Sequence, residues 1–461
     1  MSRHDDLYEV YRATGSARSV EYKEILERTQ EHCSEKHSEL LIADSTPQTM
    51  TQLKNIISSF LVTNNYSCDG MSIDELSEKI LADMAGYSIL AKWIYMPGIE
   101  EVNVNAYNDI EVIYSSGKSV KVPDKFISPQ QAIDVVRRML SKCGMVLDDA
   151  VPSVLGYLDK NIRISADKPP IVDEDVGINV SVRIVNQATV TRDKLLEYGS
   201  TTPEMLDFVE ACVKYGVSSC FAGATGSGKT TLMAWLLSCV PNDERVITIE
   251  EGSRELNCVK RDDEGNIINS VVHLLTRPHI NPAMNIDQDL LLERVLRKHP
   301  DVIGVGEMRS YEAMTAAEAS RTGHTVVTTI HSNSAIASYR RMLTLAKRKY
   351  STMTDDILMQ IMIEAFPIII YTKQLQDGSR KIMDILEGIR YDKEKDVIIC
   401  NSLYGYNIES NEYDKDGNIT ITGKYEKRNV MSDGLKERFL DNGIPYNDLQ
   451  RFLKMKKGGD V

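Results

Sequence analysis

The sequence predicts an α/β chain built on a parallel-rich sheet, with an α+β unit and a helical extension ahead of it. Three observations lead there. A glycine-rich stretch, Gly223-Ala-Thr-Gly-Ser-Gly-Lys-Thr-Thr231, lies between a strand-sized apolar run, Val217–Ala222, and an apolar helix from Thr231. Apolar strands and helical patterns then alternate from about residue 203 to 331. Upstream, near Ile99, the hydrophobic period changes from helical to alternating.

The elements follow in order. Residues from about Asp5 to Ala85 read as helical, broken near Ala43–Pro47, with Leu53, Ile56, Ile57 and Phe60 forming an apolar stripe. Val102-Asn-Val-Asn alternates, and Ile110–Tyr114 and Ser119–Val122 flank a Ser-Ser-Gly turn, giving a small antiparallel sheet. A helix is expected at Pro129–Lys142, then strands near Ile162–Ser165 and Ile178–Val185. Leu195–Ser200 reads as a joint. Beyond it come a helix at Pro203–Tyr215, the glycine-rich loop with its helix, and a strand at Val246–Glu250. A helix at Asp289–Lys298, a strand at Asp301–Gly306, a helix at Tyr311–Thr322 and a strand at Thr325–Ile330 complete the alternation. Ile368–Lys373 and Lys381–Leu386 flank Asp377-Gly378 as a hairpin closing this domain, and the tail carries a second turn at Asp416-Gly417. The expected domains are therefore 1–88, 89–198, 199–400 and 401–461.

Composition narrows the class. At 461 residues, 42% hydrophobic and 26% charged, the chain reads as globular. A formal net charge of −13 argues against a broad nucleic-acid-binding surface. The eight cysteines form no C-x-x-C pair, which argues for reduced thiols and against a zinc ribbon. No apolar run is long enough to span a bilayer, and the polar start Met1–Asp6 predicts no signal peptide, so a cytoplasmic location is expected.

The loop fits G-x-x-x-x-G-K-[ST], with Gly223, Gly228, Lys229 and Thr230 in the fixed places. Glycines allow the backbone N–H groups of Gly223, Ala224, Thr225, Gly226, Ser227, Gly228, Lys229, Thr230 and Thr231 to curl around a polyphosphate. The helix N-terminus adds partial positive charge. Lys229 is placed for the β- and γ-phosphates, and Thr230 for Mg²⁺. Hydrolysis also needs carboxylates at strand ends. Glu307 ends the 301–306 strand after Gly306, where an aspartate would be usual; it is read as holding Mg²⁺ through water or polarising the attacking water. Glu250 and Glu251 end the 246–250 strand, with Glu255 a turn later, and could orient that water. His331, at the carboxyl end of its strand, is the candidate γ-phosphate sensor, whereas His324 lies at the opposite end and reads as structural. Arg277, Arg309, Arg163 and Arg183 are the available cations.

Taken together these motifs resemble the secretion ATPase superfamily. The loop, Ile249-Glu-Glu…Glu255-Leu, Thr276-Arg-Pro278, Val305-Gly-Glu-Met-Arg309 and Thr322-Gly-His324…His331-Ser-Asn-Ser334 stand in its order. The resemblance extends from about Leu90 to the C-terminus, taking in Gly199–Pro203 and Leu435–Ile444, and is strongest to the CpaF/TadA and VirB11-like branch. It implies a RecA-like ATPase domain behind a PAS-like domain, with ATP and Mg²⁺ as ligands. Glu250, Glu251 and Glu255 become an Asp box, Gly306-Glu307 an atypical Walker B, and 323–331 a His box. Arg163 and Arg183 match N-terminal-domain arginines that reach nucleotide. It further implies a hexameric ring, peripheral on the inner face of the cytoplasmic membrane, that works with inner-membrane platform or secretion-channel proteins in secretion, pilus assembly or conjugation. Two departures stand out: two glutamates fill the acidic pair, and Thr325-Val-Val replaces small polar residues. The lack of a four-cysteine zinc motif favours the CpaF/VirB11-like branch. A RecA-like nucleic-acid translocase is the alternative, disfavoured by the acidic charge.

Overall fold

A computed structural model describes residues 18–19, 22–42, 47–68, 71–84, 87–115, 117–159, 162–184, 190–252, 254–277, 282–413, 415, 417 and 419–455. The helical reading of 5–17, the break at 43–46, and Ser116, Pro278 and Asp416 of the expected turns and motifs lie outside these residues. The chain forms two compact units, 1–186 and 187–461.

In the first unit, β1 (Arg18–Ser19) pairs with β2 (Tyr66–Ser67) beside five helices: α1 (Tyr22–Lys36), α2 (Ser38–Ile42), α3 (Pro47–Thr63), α4 (Ile73–Met84) and α5 (Ile89–Ile94). An antiparallel sheet follows, from β3 (Ile99–Ala106), β4 (Asp109–Tyr114), β5 (Ser119–Val122), β6 (Ser153–Asp159), β7 (Ile162–Asp167) and β8 (Asn179–Ile184). Its order is β5-β4-β3-β8-β7-β6. Helix α6 (Pro129–Lys142) starts where expected: the Ser128 hydroxyl accepts from Gln131 N–H and Pro129 takes the first helical place. Alternation buries Val102, Val104, Ile110, Val112, Ile162, Ile164, Val180 and Val182 in one cluster with Ile25, Leu53, Ile57 and Leu61 of the helices. The other sheet face is left polar. Strand β6 was not expected; it is an edge strand, interrupted by Gly156, in which only Gly156 and Leu158 are buried.

The second unit is organised by one nine-stranded sheet. Its strands are β9 (Ser219–Gly223), β10 (Arg245–Glu250), β11 (Ser270–Leu275), β12 (Val302–Val305), β13 (Thr325–His331), β14 (Ile368–Gln374), β15 (Arg380–Asp392), β16 (Val397–Tyr413) and β17 (Ile419–Lys427). The order is β11-β10-β12-β13-β9-β14-β15-β16-β17. The first six run parallel and the last three join antiparallel. The central strands β9, β10 and β12 are almost wholly buried, as apolar runs covered by helices on both faces should be. One face carries α7 (Arg192–Glu197), α8 (Pro203–Lys214) and α9 (Lys229–Ser238). The other carries α10 (Gln288–Val295), α11 (Glu312–Arg321), α12 (Ala335–Lys349) and α13 (Asp355–Ala365). The expected hairpin at 377–378 forms but does not end the sheet, because β16 and β17 continue it. The final helices, α14 (Asp433–Asp441) and α15 (Tyr446–Leu453), dock through Phe439 and Phe452 against Phe208 of α8.

Candidate functional site

Parallel strands β9, β10, β12 and β13 all deliver their carboxyl ends to one edge, so residues distant in sequence meet there. The loop between β9 and α9 sets the centre. Gly228 closes it with φ 91°, a left-handed conformation that disfavours any side chain. Gly223 is required by close approach: a Cβ there would lie 2.5 Å from Ser227 Oγ and closer still to the Thr372 carbonyl oxygen of β14. Ser227 is buried and its hydroxyl meets the Thr372 hydroxyl at 3.0 Å. Arg380 Nε of β15 donates to the Gly226 carbonyl at 2.8 Å. Lys229 is 6% exposed and its Nζ donates to the Ala224 carbonyl at 2.8 Å. Ala224, Thr225 and Gly226 are exposed, and Thr230 and Thr231 open the helix.

Next to the loop, β12 ends in Gly306 and Glu307. A Cβ at Gly306 would sit 3.2 Å from Glu250 Cγ and 3.3 Å from the Ile249 carbonyl oxygen. The glycine that replaces the usual strand-end aspartate is thus explained: the neighbouring strand's Glu250 fills that space. Glu307 is pinned. Met308 N–H donates to the Thr329 carbonyl at 2.9 Å and the Thr329 hydroxyl to the Gly306 carbonyl at 2.7 Å. Its carboxylate takes Arg309 Nη2 at 2.6 Å on one oxygen and His331 Nε2 at 3.2 Å on the other. Arg309 Nη1 reaches Glu251 at 3.3 Å. The hydrogen bond to Glu307 holds the Arg309 guanidinium above its ordinary range. Burial lowers the His331 imidazole, opposed by Glu307 and assisted by Lys229, Arg309 and Arg341. A neutral ring at neutral pH follows, donating Nε2–H to Glu307.

The expected acid pair is split by the fold. Glu251 is half exposed and belongs to the Arg309–Glu307 group. Glu250 is 3% exposed, and its Oε2 accepts the N–H groups of Glu255 and Leu256 at 2.6 and 2.8 Å. Burial pushes its carboxyl up to about 7, although those two amides pull the other way. His324 immediately precedes β13, its Nδ1 3.3 Å from the Ala319 carbonyl oxygen, at the end of the strand away from the loop. Arg277 pairs through its backbone with Ile286. Arg163 and Arg183 lie in the other unit, directly opposite each other on β7 and β8, with Glu101 opposite Arg183 on β3. Neither arginine has an ion-pair partner among the described residues.

Among the described residues no group of three or more His, Cys, Asp or Glu side chains could hold a metal ion. The acceptors flanking the loop are the Thr230 hydroxyl and the Glu307 carboxylate, a set that suits a cation shared with phosphate oxygens. The sequence reading missed Thr372, Arg380, Arg254 and His273. No motif signals them, because they reach the site from β14, β15, β11 and the segment after β10.

The family described as type II/IV secretion system protein matches residues 157–379. The type IV secretion system protein VirB11 of Bartonella quintana is 24% identical over 304 residues, 58% of this chain and 82% of that protein. The conjugal transfer protein TrbB of Rhizobium radiobacter is 28% identical over 251 residues, 53% of this chain and 70% of that protein. An uncharacterized protein of Methanocaldococcus jannaschii is 24% identical over 331 residues, 71% of this chain but only 56% of its own length. The Legionella pneumophila ATPase DotB is a solved structure similar at TM-score 0.44 and 17% identity, over 76% of this chain and 82% of that one. The Brucella suis VirB11 ATPase is similar at TM-score 0.34 and 23% identity, over 64% and 91%. Likenesses that low carry no argument about the site. The loop, its strand-end acids and the family match agree on one class, a mixed α/β protein with a phosphate loop. Residues 157–379 carry the type II/IV secretion system protein domain, which supports a place in the type II/IV secretion ATPase superfamily.

Proposed function

We propose that the chain is an ATP-hydrolysing motor of the CpaF/TadA and VirB11-like branch, with a RecA-like domain behind a PAS-like one. It works as a hexameric ring on inner-membrane partners to drive secretion, pilus assembly or conjugation. The observation that carries this reading is the convergence of the 223–231 loop with Glu307, Arg309, Glu251 and His331 at the carboxyl edge of one parallel sheet. Among the described residues no helix is long and apolar enough to cross a membrane.

The roles proposed on that arrangement are these. Lys229 exchanges the Ala224 carbonyl for the β- and γ-phosphates, and the backbone N–H groups of the loop take the remaining oxygens. Thr230 and Glu307 are the Mg²⁺ side, Glu307 acting through water; the bound ion would neutralise charge developing on the phosphates. Glu307 also orients the attacking water, steadied by Arg309 and Glu251, while His331 reports on whether the carboxylate is engaged. Glu250 holds the 251–256 segment in place. The assignment of Arg163 and Arg183 to the nucleotide rests on the resemblance of the sequence motifs alone.

The test is turnover by the purified chain. Lys229→Ala is expected to abolish ATP hydrolysis; near-normal hydrolysis by that variant refutes the assignment. Glu307→Gln is expected to retain bound ATP and leave it uncleaved, and cleavage at the wild-type rate would remove Glu307 from its role.

A further inference from the structure

Three buried polar atoms near the site have no hydrogen-bond partner among the described residues: Glu250 Oε1, Arg254 Nε and His273 Nε2. Strand register and electrostatic influence put them in one neighbourhood. Glu250 and Thr248 alternate onto the α9 face of β10, where the Thr248 methyl approaches Gly304 beside Met233 and Leu237. His273 stands opposite Thr248 on β11, and its Nδ1 lies 2.6 Å from the Thr248 hydroxyl. The segment after β10 turns back over this face and closes on Glu250 through the Glu255 and Leu256 amides, burying Leu256 and Cys258. Arg254 lies in that segment, and its charge acts on Glu250, His273 and Cys258 alike.

A buried donor or acceptor left unmade is strongly disfavoured, and three such groups on one face of neighbouring strands suit the two to four partners a buried water takes. The Thr248 hydroxyl fixes the ring: if it donates to Nδ1, then Nε2 carries the proton and points a donor inward. Arg254 Nε–H is a second donor, and Glu250 Oε1 is the acceptor. We propose that Arg254 and His273 enclose one ordered water with Glu250 and are positioning residues for hydrolysis. Through that water they lock the Glu250 carboxylate, which in turn fixes the segment bearing Glu251 and supports the Arg309–Glu307 pair. Neither touches the nucleotide.

This rests on the ATPase reading above, and the two fail differently. Turnover is measured on the full chain for Arg254→Gln, Arg254→Lys, His273→Leu and His273→Gln, alone and with Glu250→Gln. Arg254→Gln and His273→Leu should each lower kcat tenfold or more, leaving the KM for ATP within twofold. Arg254→Lys and His273→Gln, which keep a donor, should recover most of the loss. Added to Glu250→Gln, none should lower kcat further, because their effect passes through that carboxylate. Undiminished kcat in the folded single variants overturns the proposal, as does a full additional loss on the Glu250→Gln background. A crystal structure of the nucleotide-free chain is the readout independent of ATP. A water within hydrogen-bond distance of all three atoms supports the proposal, and a dry chamber overturns it. Failure of the ATPase reading would show instead as equal activity in wild type and Lys229→Ala, whatever the chamber holds.

Discussion

Replacing Glu250 by glutamine should make the protein more stable and less active at once, and only above a defined pH. Glu250 is 3% exposed, and burial holds its carboxyl at about 7 against an ordinary 4.5. The folded protein therefore binds the proton more tightly than the unfolded chain does. The stability of protonated Glu250 is fully present below about 4.5, declines through the interval, and is lost above about 7. At about 1.4 kcal/mol per tenfold change in proton affinity, the ionised group costs about 3 kcal/mol at pH 8. Glutamine removes that cost, but its amide oxygen accepts the Glu255 and Leu256 N–H groups less strongly than a carboxylate, an offset of about 1 kcal/mol. A net gain of about 2 kcal/mol remains, or about 3–4 °C in the unfolding midpoint of a unit this size. Calorimetry at pH 8 and pH 5 is the assay, read on the transition of the 187–461 unit. The expected result is a clear rise at pH 8, little change at pH 5, and depressed ATP turnover throughout. An equal rise at both pH values, or none at pH 8, would show that burial does not govern this carboxyl.

Two further outcomes can be checked with simple variants. Arg309→Gln breaks partly exposed ion pairs, so stability should change by less than about 1 kcal/mol, while kcat drops about tenfold as Glu307 and Glu251 lose their common partner; steady-state kinetics beside thermal unfolding separates the two. Arg183→Ala removes a side chain facing Arg163 on one side and Glu101 on the other, so the two cross-strand effects offset and the stability of the 1–186 unit should change by less than about 1 kcal/mol while ATP hydrolysis falls; unimpaired hydrolysis would exclude that residue from the phosphate site.

The parts of this fold that were legible in the sequence are those governed by local physics. Helix α6 begins and ends where Ser128-Pro129 and its apolar stripe require, and β9, β10, β12 and β13 stand out as short apolar runs. Strands β6 and β11 escaped notice because edge strands bury little and carry weak patterns. That β16 and β17 extend the main sheet is a matter of pairing with β15, which no local signal specifies. The site divides in the same way. Spacing places Lys229 and Thr230 at the loop–helix junction and Glu307 and His331 at the carboxyl ends of their strands, where the structure has them, but nothing in the adjacent pair Glu250-Glu251 tells that one is buried under backbone amides and its neighbour is half exposed. That difference comes from strand alternation at a turn, together with the space left by Gly306 one strand away.

Under the proposed function, the bond between Lys229 and the Ala224 carbonyl has a consequence for the working cycle. An ammonium group waiting in an otherwise empty cradle would need to be stripped of water each time a ligand arrived; here it already rests on an internal acceptor, so arrival and departure of phosphate become exchanges between two partners. Such an arrangement tempers affinity and eases product escape, properties a machine that must reset after every stroke needs more than it needs a tight grip.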